Sequence, residues 1–423
     1  MPRSSRPVVG SAVAAGLLAL VAAPSAFASA AFYTPPSSLP SANGALVKTE
    51  PQGLNATPGK ATRIMYKSTD STGSPVAVIG TYIEPTAKYA GSGPRPLIAY
   101  AEGTQGQGDS CAPSKSLESG YLGGTIGGVS IGYEIPNING LLEKGVAVVV
   151  TDYVGLGTTN RVHTYVNRLD QGRAVLDAAR AASKVSGASV TSSSPVGAYG
   201  YSQGGGAAAS AAELQPTYAP ELNLKGAFAG APPADLGATM TKADGTILTA
   251  VIGYAINGFV ESYPSLRTIL DRETNQAGKD ALKQISTQCT ADSIFSFATK
   301  KTSTWTTSGK SITEVVAGIP EAQAIIDEQR IGKLKPKVPV RIVTGTQDDI
   351  VPHGQAKQLA KDWCSKGVTV NYTPVIQAFG TNGTAVNHLQ PMIAENGNSQ
   401  KWILDRLAGI GAGSNCFALP VLP

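Results

Sequence analysis

Gly200-Tyr201-Ser202-Gln203-Gly204 fits the pattern G-x-S-x-G. A serine held on a tight turn between a strand and a helix leaves no room for side chains beside it, so the pattern needs its glycines. A serine hydroxyl is a weak nucleophile and must be activated by a base, which makes His163, His353 and His388 the candidates. His163 precedes the serine, and His353 follows Pro352 where a helix begins. His388 lies after the last expected strand and before the final helix. A serine on such a turn is followed in the chain by its acid and then by a histidine in a late loop, which selects His388.

The acid must orient the imidazole and stabilise its charged form. Gly345-Thr-Gln-Asp348-Asp349-Ile-Val-Pro352 ends a strand, where the reactive groups of open α/β sheets gather. Asp348, three residues after the strand-ending glycine, is the expected acid. Asp349 is expected to point a different way along the turn, so that its replacement by Asn is far milder. The negative charge of a tetrahedral intermediate needs donors. One is the N–H of Gln203, and the second is expected from the loop Glu102-Gly103-Thr104-Gln105-Gly106-Gln107-Gly108, at Gly103 or Thr104. That loop lacks both the Walker lysine and the GxGxxG spacing of phosphate cradles.

These residues need a scaffold of alternating strands and helices. Ala61–Lys67 and Val76–Glu84 read as a hairpin. The apolar runs at 96–101, 145–152, 196–200, 224–231, 338–344 and 369–374 read as buried strands, most of them parallel. Helical patterns at 170–183, after Ser202, at 355–366 and at 398–407 supply the crossovers. Residues 31–58, rich in Pro, Ser, Ala and Asn, are expected to wrap the surface as an extended arm. About a hundred residues separate the strand at 224–231 from the one at 338–344, and an insertion of that size is expected to be a helical cap. The expected division is a leader at 1–30, core at 31–235, cap at 236–317 and core again at 318–423. Within the cap, Ile252 and Ile256 are expected to line an acyl pocket, with Tyr201 touching substrate beside the serine.

Of the 423 residues 42% are hydrophobic and 15% charged, enough for a large core and too apolar for compositional disorder. Residues 1–30 begin with Arg3 and Arg6, continue in an apolar run to about Ala23 and end in small residues, the pattern of a cleaved secretory signal. Its loss lowers the formal charge from +5 to +3, a balance that excludes nucleic acid as the expected partner. Cys111, Cys289, Cys364 and Cys416 are too far apart for a paired-CxxC zinc site, and export permits disulfides. Their spacing leaves all three pairings open.

GTQGQGDSCAPS at 103–114, TDYVGLGT at 151–158, HTYVNR at 163–168, VLDAARAA at 175–182, GYSQG and TGTQDDIVP together resemble the secretory lipase family, exported α/β-hydrolases of fungi and actinobacteria. The resemblance spans most of the mature chain. It implies an α/β-hydrolase fold with a mostly parallel central sheet, a helical cap between two late strands, and an ester hydrolase with neither metal nor cofactor. It also implies the disulfide Cys111–Cys289 and, with it, Cys364–Cys416. Where the family can place a loop aspartate as an oxyanion donor, this chain has Gly103 or Thr104. The function expected is that of a secreted triacylglycerol lipase or esterase using Ser202, Asp348 and His388. An acyltransferase or short-chain esterase with the same triad, and a non-catalytic binding protein, are the alternatives. A lipid or other ester is the expected partner, with transient contact at a lipid interface, and nothing calls for an obligate protein partner.

Overall fold

Blocks of β-branched residues alternate with helices to build a nine-stranded sheet, seen in a computed structural model that describes residues 30–125, 128–158, 160–377 and 382–423. The leader expected at residues 1–30 lies outside the described residues except for Ala30. Strands β1 (Leu46–Gln52), β2 (Lys60–Thr69) and β3 (Pro75–Glu84) are antiparallel neighbours. Then come β4 (Leu97–Ala101), helix α1 (Pro113–Ser119), a separate hairpin of β5 (Leu122–Thr125) and β6 (Gly128–Ile131), helix α2 (Ile135–Glu143) and β7 (Ala147–Thr151). Every residue of β4 and β7 is buried, as continuous apolar strands covered on both faces should be.

Helix α3 (Arg168–Ala182), β8 (Val196–Tyr201), α4 (Gln203–Tyr218) and β9 (Leu224–Gly230) complete the first part of the core. After the insertion the chain resumes with β10 (Val340–Gly345), α12 (His353–Ser365), β11 (Val370–Val375), α13 (Val386–Ala394) and α14 (Asn396–Leu407). The sheet order is β1-β2-β3-β7-β4-β8-β9-β10-β11, and all pairs from β7 onward are parallel. From β4 the chain passes to β7 on one side and from there crosses to β8 on the other. This reversal leaves a crevice at the carboxyl ends of β4 and β8, where open sheets place their sites. One face of the sheet packs under α3, α4 and α12, the other under α1, α2 and α14.

The stretch expected to be only an arm contains β1, which pairs with β2 and closes one edge of the sheet. Its pattern hid that strand because Pro51 and charged residues break the apolar run, which an edge tolerates. Phe32 and Tyr33 are buried and flank the guanidinium of Arg63, itself fully buried and paired with Glu50 and Glu118.

Between β9 and β10 lie seven helices: α5 (Leu236–Ala243), α6 (Ala250–Ser262), α7 (Leu266–Glu273), α8 (Gln276–Ile285), α9 (Thr290–Phe297), α10 (Ile312–Ala317) and α11 (Pro320–Glu328). They enclose an apolar core of their own, with Phe259, Ile285, Phe297 and Trp305. The disulfide Cys111–Cys289, buried and with Cα atoms 5.3 Å apart, fastens this layer to the loop after β4. Cys364–Cys416 ties the C-terminal tail to α12.

Candidate active site

Ser202 stands between β8 and α4 with φ +58° and ψ −123°, a conformation that costs a non-glycine residue on the order of 1–3 kcal/mol and persists only where its surroundings hold it. Its N–H donates to the carbonyl of Gly230 at 2.9 Å, and its own carbonyl accepts from Gly206 at 3.0 Å. A Cβ on Gly204 would lie 1.9 Å from the carbonyl oxygen of Ala101, and one on Gly205 would lie 2.0 Å from that of Gly230. Only glycine lets α4 approach the sheet this closely, and the serine hydroxyl is thereby lifted clear of the strand ends.

His388 is on the first turn of α13, and its Nε2 lies 2.8 Å from Ser202 Oγ. Its Nδ1 lies 2.8 Å from Asp348 Oδ2. A carboxylate can only accept, so Nδ1 carries the proton and Nε2 offers a lone pair to the serine hydroxyl. The other oxygen of Asp348 accepts from the N–H groups of Ile350 at 2.9 Å and Val351 at 2.8 Å. Asp349 does point elsewhere, as its place in the turn suggests, but at the segment that carries the histidine. Its Oδ2 accepts from Thr384 and Ala385, and its Oδ1 from the N–H of His388 at 3.1 Å. Sequence reasoning missed this role, because adjacency to Asp348 reveals nothing of a loop 35 residues away. Tyr201, expected against substrate, lines the cavity at the serine, and its hydroxyl donates to the His388 carbonyl at 2.7 Å.

The N–H of Gln203 opens helix α4, where the first amides of a helix have no partner within it. Of the two residues expected to supply a second donor, Gly103 is otherwise engaged. Its N–H donates to Oε1 of buried Glu134 at 2.7 Å. Thr104 lines the space around Ser202, its hydroxyl 2.7 Å from that of Tyr165. Burial pushes the Glu134 carboxyl up to about 7, and burial together with the neighbouring Glu134 holds that of Glu102 well above the usual carboxylate range.

A model of the secretory lipase family matches residues 122–415. The chain belongs to this family. Relatives include a probable inactive lipase of Mycobacterium tuberculosis, 28% identical over 84% of this chain and 76% of that protein. Lipase 2 of Candida albicans is 30% identical over 80% and 73% of the two chains. Among solved structures, Candida antarctica lipase A in its closed state superposes with a TM-score of 0.77 at 22% identity, covering 91% of this chain and 87% of that one. The rice cell wall degrading esterase LipA from Xanthomonas oryzae gives 0.73 at 17% identity, covering 86% and 100%. The fold of this secretory lipase family member is therefore that of the α/β-hydrolases. Among its described residues no cluster of His, Cys, Asp and Glu is arranged to hold a metal ion.

The other two histidines lie apart from the serine hydroxyl. His353 meets the Tyr372 hydroxyl at 3.0 Å. His163, in the HTYVNR segment, donates from Nδ1 to the Val154 carbonyl at 2.9 Å, so its Nε2 accepts from the side-chain amide of Gln203 at 3.1 Å. Burial pushes its pKa down to about 4 and keeps it neutral. The unfolded chain binds this proton at about pH 6.5, so stability from His163 is fully present above that pH and is lost as pH falls toward 4. Acidification across this window is expected to remove roughly 3 kcal/mol through His163 alone. Denaturant titrations of wild type and His163→Gln at several pH values check this. Equal slopes of stability against pH for the two proteins would refute it.

Two spaces meet at Ser202. On the Gln203 side, a narrow cavity runs under Leu236, Met240 and Val251. It shares Met240 and Ala255 as a common wall with an apolar cavity inside the cap, lined by Ile256, Phe259, Leu270 and Val316. Ile256 lines the cap cavity but not the space at Ser202, and Ile252 is buried in the cap's own core and lines neither. The second space, on the His388 side, is the larger of the two at the serine.

Proposed function

We propose that this chain is a secreted carboxylic ester hydrolase of the lipase and esterase type, working through an acyl-enzyme on Ser202. The observation that carries the reading is the unbroken line of hydrogen bonds from Ser202 Oγ through His388 to Asp348, on a strained turn beside open helix-terminal N–H groups. The leader pattern and the two disulfides support export.

In this mechanism His388 Nε2 takes the serine proton as Oγ attacks the ester carbonyl, and Asp348 stabilises the imidazolium that forms. The Gln203 N–H and Thr104 receive the oxyanion. His388 returns the proton to the leaving alcohol, and water attacks the acyl-serine by the same route. The acyl chain lies along the cavity that leads from Gln203 toward Ile256 in the cap. A relative described as probably inactive makes activity the first thing to test. A fluorophosphonate is expected to label native protein on Ser202 and to leave Ser202→Ala unlabelled. In a p-nitrophenyl ester series, Ile256→Trp is expected to move the optimum toward shorter acyl chains. If the protein neither takes the label nor hydrolyses any ester, it is a non-catalytic member of the fold. A uniform loss across the series would instead make Ile256 ordinary core.

A further inference from the structure

The HTYVNR segment at 163–168, between β7 and α3, has no part in the mechanism so far, yet it reaches both residues nominated for the oxyanion. His163 takes a hydrogen bond from the Gln203 side chain at 3.1 Å, and the Tyr165 hydroxyl lies 2.7 Å from that of Thr104. Val166, the next residue, has φ +56°, a left-handed conformation that a β-branched side chain keeps only where its surroundings hold it. The Tyr165 ring is buried and meets the rings of His163 and Tyr254 edge-on, with centroids 5.8 and 5.5 Å away. Its hydroxyl is therefore held in place.

Thr104 is the polar residue, besides Ser202, that borders both spaces at the serine, so it stands where the carbonyl of an ester would join its two halves. Its backbone is fixed, since its carbonyl accepts from the Thr290 hydroxyl at 3.1 Å and Gly103 before it is tied to Glu134. What remains to be set is the direction of its own O–H, because a hydroxyl rotates to suit its partners. Between a phenol and an alkyl alcohol, the phenol is the stronger acid and the better donor. Burial pushes the Tyr165 hydroxyl up to about 12, so it keeps its hydrogen. With that hydrogen between the two oxygens, the hydrogen of Thr104 must point away from Tyr165. We infer that Tyr165 is a positioning residue of this hydrolase, and that by donating to Thr104 Oγ1 it turns the Thr104 O–H toward the oxyanion that forms at Ser202. No proton changes hands between them, and Tyr165 acts only through Thr104. This deepens the hydrolase reading above and rests on it.

The test is a double-mutant cycle on p-nitrophenyl butyrate, with kcat expressed per Ser202 titrated by the fluorophosphonate, so that an unfolded fraction does not count. Thr104→Val is expected to lower kcat about a hundredfold, the usual cost of one oxyanion donor. Tyr165→Phe leaves the Thr104 hydroxyl present but unaimed, and is expected to lower kcat about tenfold with KM within about twofold of wild type. In the Thr104→Val background, Tyr165→Phe is expected to change kcat by less than about twofold, because its partner is gone. A loss from Tyr165→Phe that is equal with and without the Thr104 hydroxyl marks a packing role and overturns the inference. So does a kcat in Tyr165→Phe equal to or above that of wild type, which would mean that Thr104 donates to Tyr165 instead. In either case a Ser202 that labels and turns over leaves the hydrolase reading standing. Absence of both label and turnover in wild type overturns the two together.

Discussion

Asp348→Asn is expected to lower kcat by about four orders of magnitude, and the hydrogen bonds around the carboxylate say why the amide cannot adapt. Oδ1 accepts two backbone N–H groups, from Ile350 and Val351. An asparagine must keep its oxygen there, because an NH₂ facing two donors would leave all three unpaired. The amide nitrogen is then forced into the place of Oδ2, against His388 Nδ1. Two donors cannot pair, so the imidazole shifts its proton to Nε2 and loses the lone pair that should receive the serine proton. Asp349→Asn acts differently. Its carboxylate accepts three backbone N–H groups of the His388 segment, so one acceptor becomes a donor facing another donor. A buried mismatch of this kind costs about 1–3 kcal/mol, and the expected signature is a lowered melting temperature with a kcat loss well short of that in Asp348→Asn. Steady-state kinetics and thermal unfolding of the two variants decide between these roles. The reverse order of damage would make Asp349 the acid.

Removing the two disulfides one at a time is expected to separate stability from activity. They close loops of 178 and 52 residues, for which chain entropy gives upper values of about 5 and about 4 kcal/mol. The double variants Cys111→Ser/Cys289→Ser and Cys364→Ser/Cys416→Ser should therefore be destabilised by similar amounts. Only the first should lose activity while still folded. Cys111 and Cys289 sit beside three backbone hydrogen bonds that join the loop after β4 to the cap, from Gln107 and Gly108 to Gln288 and from Thr290 to Gln105. Thr104, the nominated second oxyanion donor, belongs to that loop. Cys364 and Cys416 join α12 to the tail, away from the serine. Denaturant midpoints and kcat, taken where circular dichroism shows both variants folded, check the contrast. Equal loss of activity in the two would show that the cap bridge has no privileged link to the site.

The strand, turn and helix around Ser202 were legible because each rests on local sequence: an apolar run, glycines that permit a tight turn, and a run of small residues. His388 and Asp348 became candidates through chain order, and the structure brings them within hydrogen-bond reach of the serine and of each other. What stayed hidden depended on distant partners. Nothing near Gly103 shows that Glu134 will take its N–H, which leaves Thr104 facing the serine. Helix α6 is apolar on most sides, since one face meets the cap core and another a cavity. Its pattern therefore could not separate Ile252 from Ile256. β1 was obscured for the opposite reason, as an edge strand too polar to read as part of a sheet.

The crowding at Gly204 and Gly205 bears on how such a protein can change. A methyl group at either position would collide with backbone, which cannot yield as a flexible side chain can. The first turn of α4, next to the serine, therefore admits almost no variation at these two positions. Around it, the cavity walls are aliphatic side chains on cap helices and a short hairpin, whose ends can be lengthened or trimmed without touching the sheet. Change in what the site accepts is thus channelled into the cap and the hairpin, while the turn that carries Ser202 stays fixed.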